Sequence, residues 1–377
     1  MTLEFLGGNK LQLLLNGSAY FPALEKAFDA AKKEIYLETY IFADDRTGRR
    51  IAGALVRAGG RGVIVHVLVD GFGSKGMFEQ TRQLLSAANI EVLIFGPKTS
   101  PLTLRRNRLR RLHRKLVVVD ARVAFIGGIN IIDDMHTPRQ TPPRYDYAVR
   151  IEGPLIASVL EQVERLWHRV AWASLRRSAQ RHAPVSAAVR GKQRAALVVR
   201  DNLTHRSDIE DAYLAAIAEA REEIIIANAY FFPGARFRNA LRRAAKRGVR
   251  VVLLLQGRVE YVLLHYATRA LYGSLLDAGV EIYEYHKSFL HVKVAVIDQR
   301  WATVGSSNID PFSLLLAREA NIVVDDVRFS RELRRSLYDH MQDGAKVIVK
   351  KAWHRQPLWR RLLIWSAYGC ARLLMGL

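Results

Sequence analysis

The residues best able to do chemistry fall in a pattern that occurs twice: His113-x-Lys115-x4-Asp120 and His291-x-Lys293-x4-Asp298. Each is followed at the same distance by a small-residue turn and an asparagine, Gly127-Gly128-Ile129-Asn130 and Gly305-Ser306-Ser307-Asn308. On a strand, positions i and i+2 share a face, so each His and its Lys are expected to point into one cavity. An imidazole beside an ammonium and the amides of the turn, at Gly128 and Ser306, makes a pocket for phosphate. A neutral His can attack phosphorus while a second His protonates the leaving oxygen. Two copies of the pattern set the histidines on opposite sides of one phosphorus, in line for displacement. Lys115, Lys293, Asn130 and Asn308 are then expected to bind the non-bridging oxygens and stabilise developing charge without a metal or any other cofactor. An acid on the far nitrogen of each imidazole fixes its tautomer. Asp146 and Glu319, at comparable distances past the two asparagines, are the candidates for that part.

The elements that position these residues also repeat. Ala31–Leu37 (AKKEIYL) returns as Ala220–Ile226 (AREEIII), and Arg61-Gly62-Val63 as Arg247-Gly248-Val249. Leu112-His113-Arg114-Lys115 returns as Leu290-His291-Val292-Lys293. Order is kept and only loop lengths differ, so two copies of one α/β unit are expected. Runs 35–42, 63–69, 91–95 and 116–125 read as strands, and 53–58 and 80–88 as helical. The second unit matches with strands at 224–232, 249–256, 281–285 and 292–304. The expected fold class is α/β: two pseudo-twofold-related units, each a mixed β-sheet flanked by helices, with one site between them. The expected division is 1–173, a basic linker at 174–194, a second unit at 195–349, and a basic, aromatic C-terminal segment at 350–377.

Length and composition agree with that division. The chain has 377 residues, half of them hydrophobic, which exceeds what one core usually serves and excludes a disordered chain. One cysteine, Cys370, excludes a disulfide scaffold and a cysteine-built metal site. The 58 basic and 36 acidic residues leave a net charge of +22, which points to a polyanion as partner: nucleic acid or an anionic membrane. No signal peptide opens the chain and no apolar run reaches about 18 residues, so a cytoplasmic protein is expected, bound at most peripherally to the membrane. From Gly344 onward there are seven basic residues and no acid, with Trp353, Trp359 and Trp365 among leucines. That suits an amphipathic helix lying on anionic lipid, with a terminal helix packed on the domain as the plainer alternative.

Three features are weighed and set aside or held open. Gly71-Phe72-Gly73-Ser74-Lys75-Gly76 fits a dinucleotide fingerprint but does not follow the first strand of its unit, so a loop near the cavity mouth is expected instead. Arg105–Lys115 holds seven basic residues in eleven, placed to hold anionic head groups or simply solvated. His66, His168, His205 and His265 lack a comparable context and are read as structural.

The doubled His-x-Lys-x4-Asp with its Gly-x-x-Asn resembles the phospholipase D superfamily, and within it the bacterial cardiolipin synthases of the B type. The likeness is carried by Leu37–Phe42 (LETYIF), Asp146–Arg150 (DYAVR), Ile226–Gly234 (IANAYFFPG) and Ala302–Asn308 (ATVGSSN), and extends from about residue 8 to about 349. It implies a transphosphatidylation: one His forms a phosphohistidine with a phosphatidyl group, and the other activates a second alcohol. Cardiolipin and glycerol would be made from two phosphatidylglycerols at the cytoplasmic face of the inner membrane, with no nucleic-acid partner. By the resemblance His113 is the nucleophile and His291 the acid–base; the sequence by itself leaves both motifs equivalent. It further implies that Asp120 and Asp298 support the site from a strand end. A phospholipase D-type hydrolase or a nucleic-acid phosphodiesterase would use the same two histidines.

Overall fold

Two similar halves share one sheet in the computed structural model, which describes residues 3–76, 78–96, 111–137, 140–175, 188–201, 204–310 and 317–375. The first half carries β1 (Leu6–Leu15), β2 (Glu34–Thr39), β3 (Ile64–Asp70), β4 (Glu91–Phe95), β5 (Arg111–Leu112), β6 (Lys115–Val119), β7 (Val123–Gly127), β8 (Arg144–Tyr145) and β9 (Tyr147–Glu152). The second carries β10 (Gln193–Arg200), β11 (Glu223–Asn228), β12 (Arg250–Gln256), β13 (Glu281–Tyr285), β14 (Phe289–Leu290), β15 (Lys293–Ile297), β16 (Trp301–Gly305), β17 (Ala317–Asp325) and β18 (Ala345–Val347).

Strand order shows the duplication directly. Outward from the centre, the first half runs β1-β9-β7-β6-β2-β3-β4 and the second runs β10-β17-β16-β15-β11-β12-β13, with β18 added at the far edge. β1 and β10 pair antiparallel, which joins the halves into one sheet related by a pseudo-twofold. In each half, β2-β3-β4 or β11-β12-β13 are parallel, and the two central hairpin strands are antiparallel.

The central strands are apolar without alternation, as in Ile224-Ile225-Ile226 and Val117-Val118-Val119, because helices cover both faces. On one face, helices Leu155–Ala173 and Val327–Gly344 pack into a single core that draws residues from both halves, among them Trp167, Val163, Leu333 and Leu337. On the other face each half keeps its own core, around Phe28, Ile51 and Leu55 in one and Phe237, Leu241 and Leu275 in the other. The shared core is what fixes the relative placement of the halves.

The single strands expected at 116–125 and 292–304 are each hairpins. Asp120 and Ala121, and equally Asp298 and Gln299, have positive φ between 48° and 53°, which turns the chain within three residues. The continuous apolar composition on either side of the turn hides it from a reading by periodicity. The helix expected at 53–58 is longer, Arg46–Gly60, and is capped by Asp45, whose carboxylate accepts from the Gly48 amide. Of the basic run at 105–115, residues 105–110 lie outside the described residues, as do residues 176–187 of the linker expected at 174–194.

Candidate active site

Each motif histidine is held by the opposite half. β5 pairs in parallel with the start of β17, and β14 pairs in parallel with β8. The His113 amide donates to the Arg318 carbonyl (3.0 Å) and the His291 amide to the Tyr145 carbonyl (2.8 Å). The next residue in each partner strand or its extension is the acid. His113 Nδ1 therefore lies 3.0 and 3.1 Å from the two carboxylate oxygens of Glu319, and His291 Nδ1 lies 2.6 Å from Asp146 Oδ2. Sequence reasoning named both acids; the crossing between halves comes only from the strand pairing.

With Nδ1 on a carboxylate, each imidazole is set to carry its proton there and to leave Nε2 for a substrate. Burial pushes both histidines below their ordinary range. His291 is driven further, because Lys293, Arg144 and Lys115 add positive charge nearby. Glu319 acts against the fall at His113. Burial raises Asp146 to about 6, with Lys293 and the Tyr147 amide opposing. Both shifts favour the neutral imidazole, so a proton available for transfer belongs to an imidazole–carboxylate pair, as at His291, whose partner Asp146 is raised by burial.

Lys115 and Lys293 lie near each other and near both histidines. Lys115 Nζ donates to the His113 carbonyl (2.5 Å) and Lys293 Nζ to the His291 carbonyl. Both are buried, and burial lowers both; Lys115 falls to about 7. Two buried ammonium groups that repel each other make a site that an anion relieves.

The small-residue turns serve a different purpose from the one expected. The Gly128 amide donates to the Tyr147 carbonyl and the Ser306 amide to the Ala320 carbonyl, so neither is left for phosphate. Gly128 instead makes room: a Cβ there would lie 2.4 Å from Asp146 Oδ1. Ser306, at the equivalent place, donates its hydroxyl to Glu319 Oε2 (2.5 Å). Both residues seat the acids rather than the substrate. Asn130 and Asn308 are buried, and Asn130 Oδ1 accepts from the Ile41 amide (3.1 Å), which anchors the segment after Tyr40.

Asp120 and Asp298 stand at the far ends of β6 and β15, away from the histidines. Asp120 accepts from the amides of Lys32, Lys33 and Glu34, and Asp298 from those of Arg221, Glu222 and Glu223, at 2.8–2.9 Å. Neither therefore stands among the reacting residues of its motif: each is a clamp at a strand end, the kind of place the resemblance implies, and ties its hairpin turn to the start of β2 or β11.

Several residues around the site were not singled out from sequence. The Tyr40 ring lies 4.9 Å from that of His113 and 5.5 Å from Lys115 Nζ. Tyr230, its counterpart in the repeat, donates to Glu260. Arg144 is buried over the Phe289 ring, where its charge faces Asp146. Asp70 binds the Leu112 amide (2.8 Å) just before His113, and also the amides of Phe72 and Gly73. That occupies the glycine-rich loop, whose amides therefore cradle a carboxylate rather than a nucleotide. Recurrence of Tyr40 and Tyr230 at one repeat offset was the available signal; Asp70 has Gln256 at its equivalent and gave none.

The rim beside Glu260 is apolar. Val259, Tyr261, Val262 and Leu263 are exposed there, and helix Val262–Arg269 packs against helix Leu358–Met375. The latter buries Ile364 and Ala371 and leaves Leu358, Trp359, Leu362, Trp365 and Leu373 facing outward. It is both a packed terminal helix and one with an apolar outer face. No described helix is long and apolar enough to cross a membrane.

Comparison with known proteins places this geometry. A family profile described as "Cardiolipin synthase, PLD-like domain" matches residues 24–167 and again 213–341. Cardiolipin synthase B of Escherichia coli K12 is 42% identical over 363 residues, covering 94% of this chain and 86% of that protein. Cardiolipin synthase 2 of Bacillus anthracis is 31% identical over 353 residues, covering 93% and 68%. The crystal structure of phosphatidylserine synthase from Haemophilus influenzae Rd KW20 superposes with a TM-score of 0.72 over 99% of this chain and 97% of that one. At 13% sequence identity, this match speaks to the fold.

Proposed function

The chain belongs to the phospholipase D-like cardiolipin synthase family, and from that premise we propose that it is a phosphatidyltransferase making cardiolipin from two molecules of phosphatidylglycerol. The observation that carries the reading is the pair of histidines, His291 buried and His113 part-buried, each with Nδ1 on a carboxylate of the opposite half, around two buried lysines.

His113 Nε2 attacks the phosphorus of the first lipid while His291, protonated, gives its proton to the departing glycerol oxygen. The P–O bond breaks, glycerol leaves, and the phosphatidyl group is held on His113. A glycerol hydroxyl of the second lipid then loses its proton to His291 and attacks phosphorus, and the P–N bond to His113 breaks. His291 ends the cycle protonated, as it began the first step. Lys115 and Lys293 hold the non-bridging oxygens through both displacements. Assignment of acid–base work to His291 is supported by Asp146, which burial lifts to about 6, so that the pair exchanges a proton close to neutral pH. The apolar rim and the outward Trp359 and Trp365 support a peripheral seat on the anionic inner membrane, with the site facing lipid at its cytoplasmic side.

The test is mass spectrometry of lipids after incubation with phosphatidylglycerol vesicles in the presence of a chelator. Cardiolipin and glycerol are expected, absent with His113→Ala or His291→Ala. Phosphatidic acid as the main product would make water the acceptor and the protein a hydrolase. Full activity in either single variant would end the two-histidine mechanism.

A further inference from the structure

Behind the His113–Glu319 pair lies a second cavity, of about 310 Å³, between helix Leu155–Ala173 and strands β10 and β17. Five arginines line it: Arg114, Arg165, Arg169, Arg200 and Arg318. Such a volume falls near the lower end of the roughly 300–1,000 Å³ typical of ligand pockets. Arg114 and Arg200 are buried, Arg318 is part-buried and Arg165 and Arg169 are exposed at the mouth, so the lining carries more positive charge than its one acid, Asp201, offsets.

Their partners divide them. Arg114 is buried and forms two bonds to Glu38 (2.5 and 2.9 Å), with a third to the Gln162 carbonyl. Arg200 is buried and donates to the carbonyls of Arg206 and Ala317. Asp201 supplies an acid to the lining, and its oxygens accept from Thr204 and His205. Arg165, Arg169 and Arg318 form no ion pair among the described residues. The Nε of Arg318 is buried without a hydrogen-bond partner there. Burial, with the charges of Arg114 and Arg169 added, lowers Arg318 to about 10. Three guanidinium groups without carboxylates, two from a helix and one from a strand whose Arg318 also lies 5.8 Å from the Phe95 ring, therefore border one open cavity.

We propose that this cavity is a second anion site, distinct from the catalytic one, which binds a phosphate-bearing anion through Arg165, Arg169 and Arg318. Guanidinium forks suit phosphate because each can bond two of its oxygens. The site is also wired to the chemistry. Arg318 precedes Glu319, its carbonyl holds the His113 amide, and Arg114 follows His113. An occupant that pins Arg318 steadies the strand pairing that sets His113 on Glu319. The proposal does not depend on which alcohol accepts the phosphatidyl group.

The test is calorimetric titration of the full chain with inorganic phosphate and with glycerol phosphate, beside sedimentation with phosphatidylglycerol or phosphatidylcholine vesicles. Arg165→Ala/Arg169→Ala is compared with Arg331→Ala/Arg335→Ala, which removes equal charge from another exposed basic surface. Two soluble-anion sites are expected in the unaltered chain. Arg165→Ala/Arg169→Ala should weaken one at least tenfold, and Lys115→Met should remove the other. If the anion is a lipid head group, the same double variant loses at least tenfold on phosphatidylglycerol vesicles, and the control variant does not. Binding within twofold of the unaltered chain in every arm, or equal losses in both double variants, overturns the proposal.

Discussion

Asp146→Asn tests the mechanism at the point where structure makes the sharpest demand. Asp146 Oδ1 accepts from the Tyr147 amide (2.8 Å) and Oδ2 lies 2.6 Å from His291 Nδ1. Asparagine has the same shape, and the space that Gly128 leaves for the Asp146 side chain accommodates it equally. With its oxygen kept on the Tyr147 amide, its NH₂ faces Nδ1, a donor where an acceptor is needed. His291 must then carry its proton on Nε2, where it has no lone pair for the incoming hydroxyl. The imidazolium required for glycerol release also loses its anionic partner. A hydrogen bond to a charged group is worth about 1.5–3 kcal/mol, which at about 1.4 kcal/mol per decade is roughly 10- to 150-fold in rate. The expected result is a fall in kcat of about 30- to 100-fold, with KM for phosphatidylglycerol nearly unchanged because both lysines remain. Cardiolipin formation on vesicles, followed over pH 5–8, reads this out. In the unaltered enzyme kcat/KM should drop as pH rises through about 6, where the His291–Asp146 pair gives up the proton that the leaving glycerol oxygen needs; in the variant that limb should vanish. Activity within threefold of the unaltered enzyme, with that limb intact, would refute the role given to the pair.

Other outcomes follow from the same contacts. Gly128→Ala should cost tenfold or more in kcat, since its Cβ meets both Asp146 oxygens at 2.4–2.5 Å, and Ser306→Ala, which gives up a bond to the Glu319 carboxylate worth about 1.5–3 kcal/mol, should likewise cost roughly tenfold or more. Asp120→Ala or Asp298→Ala should lower stability by about 2–3 kcal/mol in denaturant melts, through three lost amide bonds and a left-handed residue without its Asp, while kcat per folded molecule holds. Folded Lys115 gives up its proton near pH 7 and the unfolded side chain near 10.5. In that window the unfolded chain binds the extra proton, so stability from this group rises with pH. The stability difference between the unaltered chain and Lys115→Met should therefore shift in favour of the former from pH 7 to 9, and a flat or falling difference would contradict the burial of that ammonium.

The duplicated motif was legible because it is local: strand alternation puts His and Lys on one face whatever surrounds them. The two acids were legible as types at comparable positions, since an imidazole in this role needs a carboxylate. Which acid serves which histidine was not, because the pairing is decided by β5 against β17 and β14 against β8, two-residue ladders between segments about 140 to 210 residues apart. The hairpin turns at Asp120 and Asp298 escaped for another reason. Neither turn contains glycine, and what stabilises them is a clamp onto amides 75 to 88 residues away. The turn glycine misled in the opposite sense: Gly128 looked like a phosphate cradle, and its missing Cβ is the space that Asp146 fills.

The crossing of the acids bears on how two near-identical halves can perform two different jobs. If each histidine took its acid from its own half, either half alone would hold a complete imidazole–carboxylate pair. Here neither does, so the dyads form only when the shared core of helices Leu155–Ala173 and Val327–Gly344 has docked the halves. The symmetry is then broken at the acids themselves. One pair is Asp146 against a glycine, the other is Glu319 against a serine hydroxyl, so a longer carboxylate is held by an added donor where a shorter one is held by steric room. In-line displacement needs one histidine to attack and the other to pass a proton within the same step. A perfectly symmetric site would give both the same proton affinity and leave that division to chance. The differing acids and the crowding by Lys293 and Arg144 make the two imidazoles unequal, with His291 the further below its ordinary range, so that the proton it passes depends on Asp146.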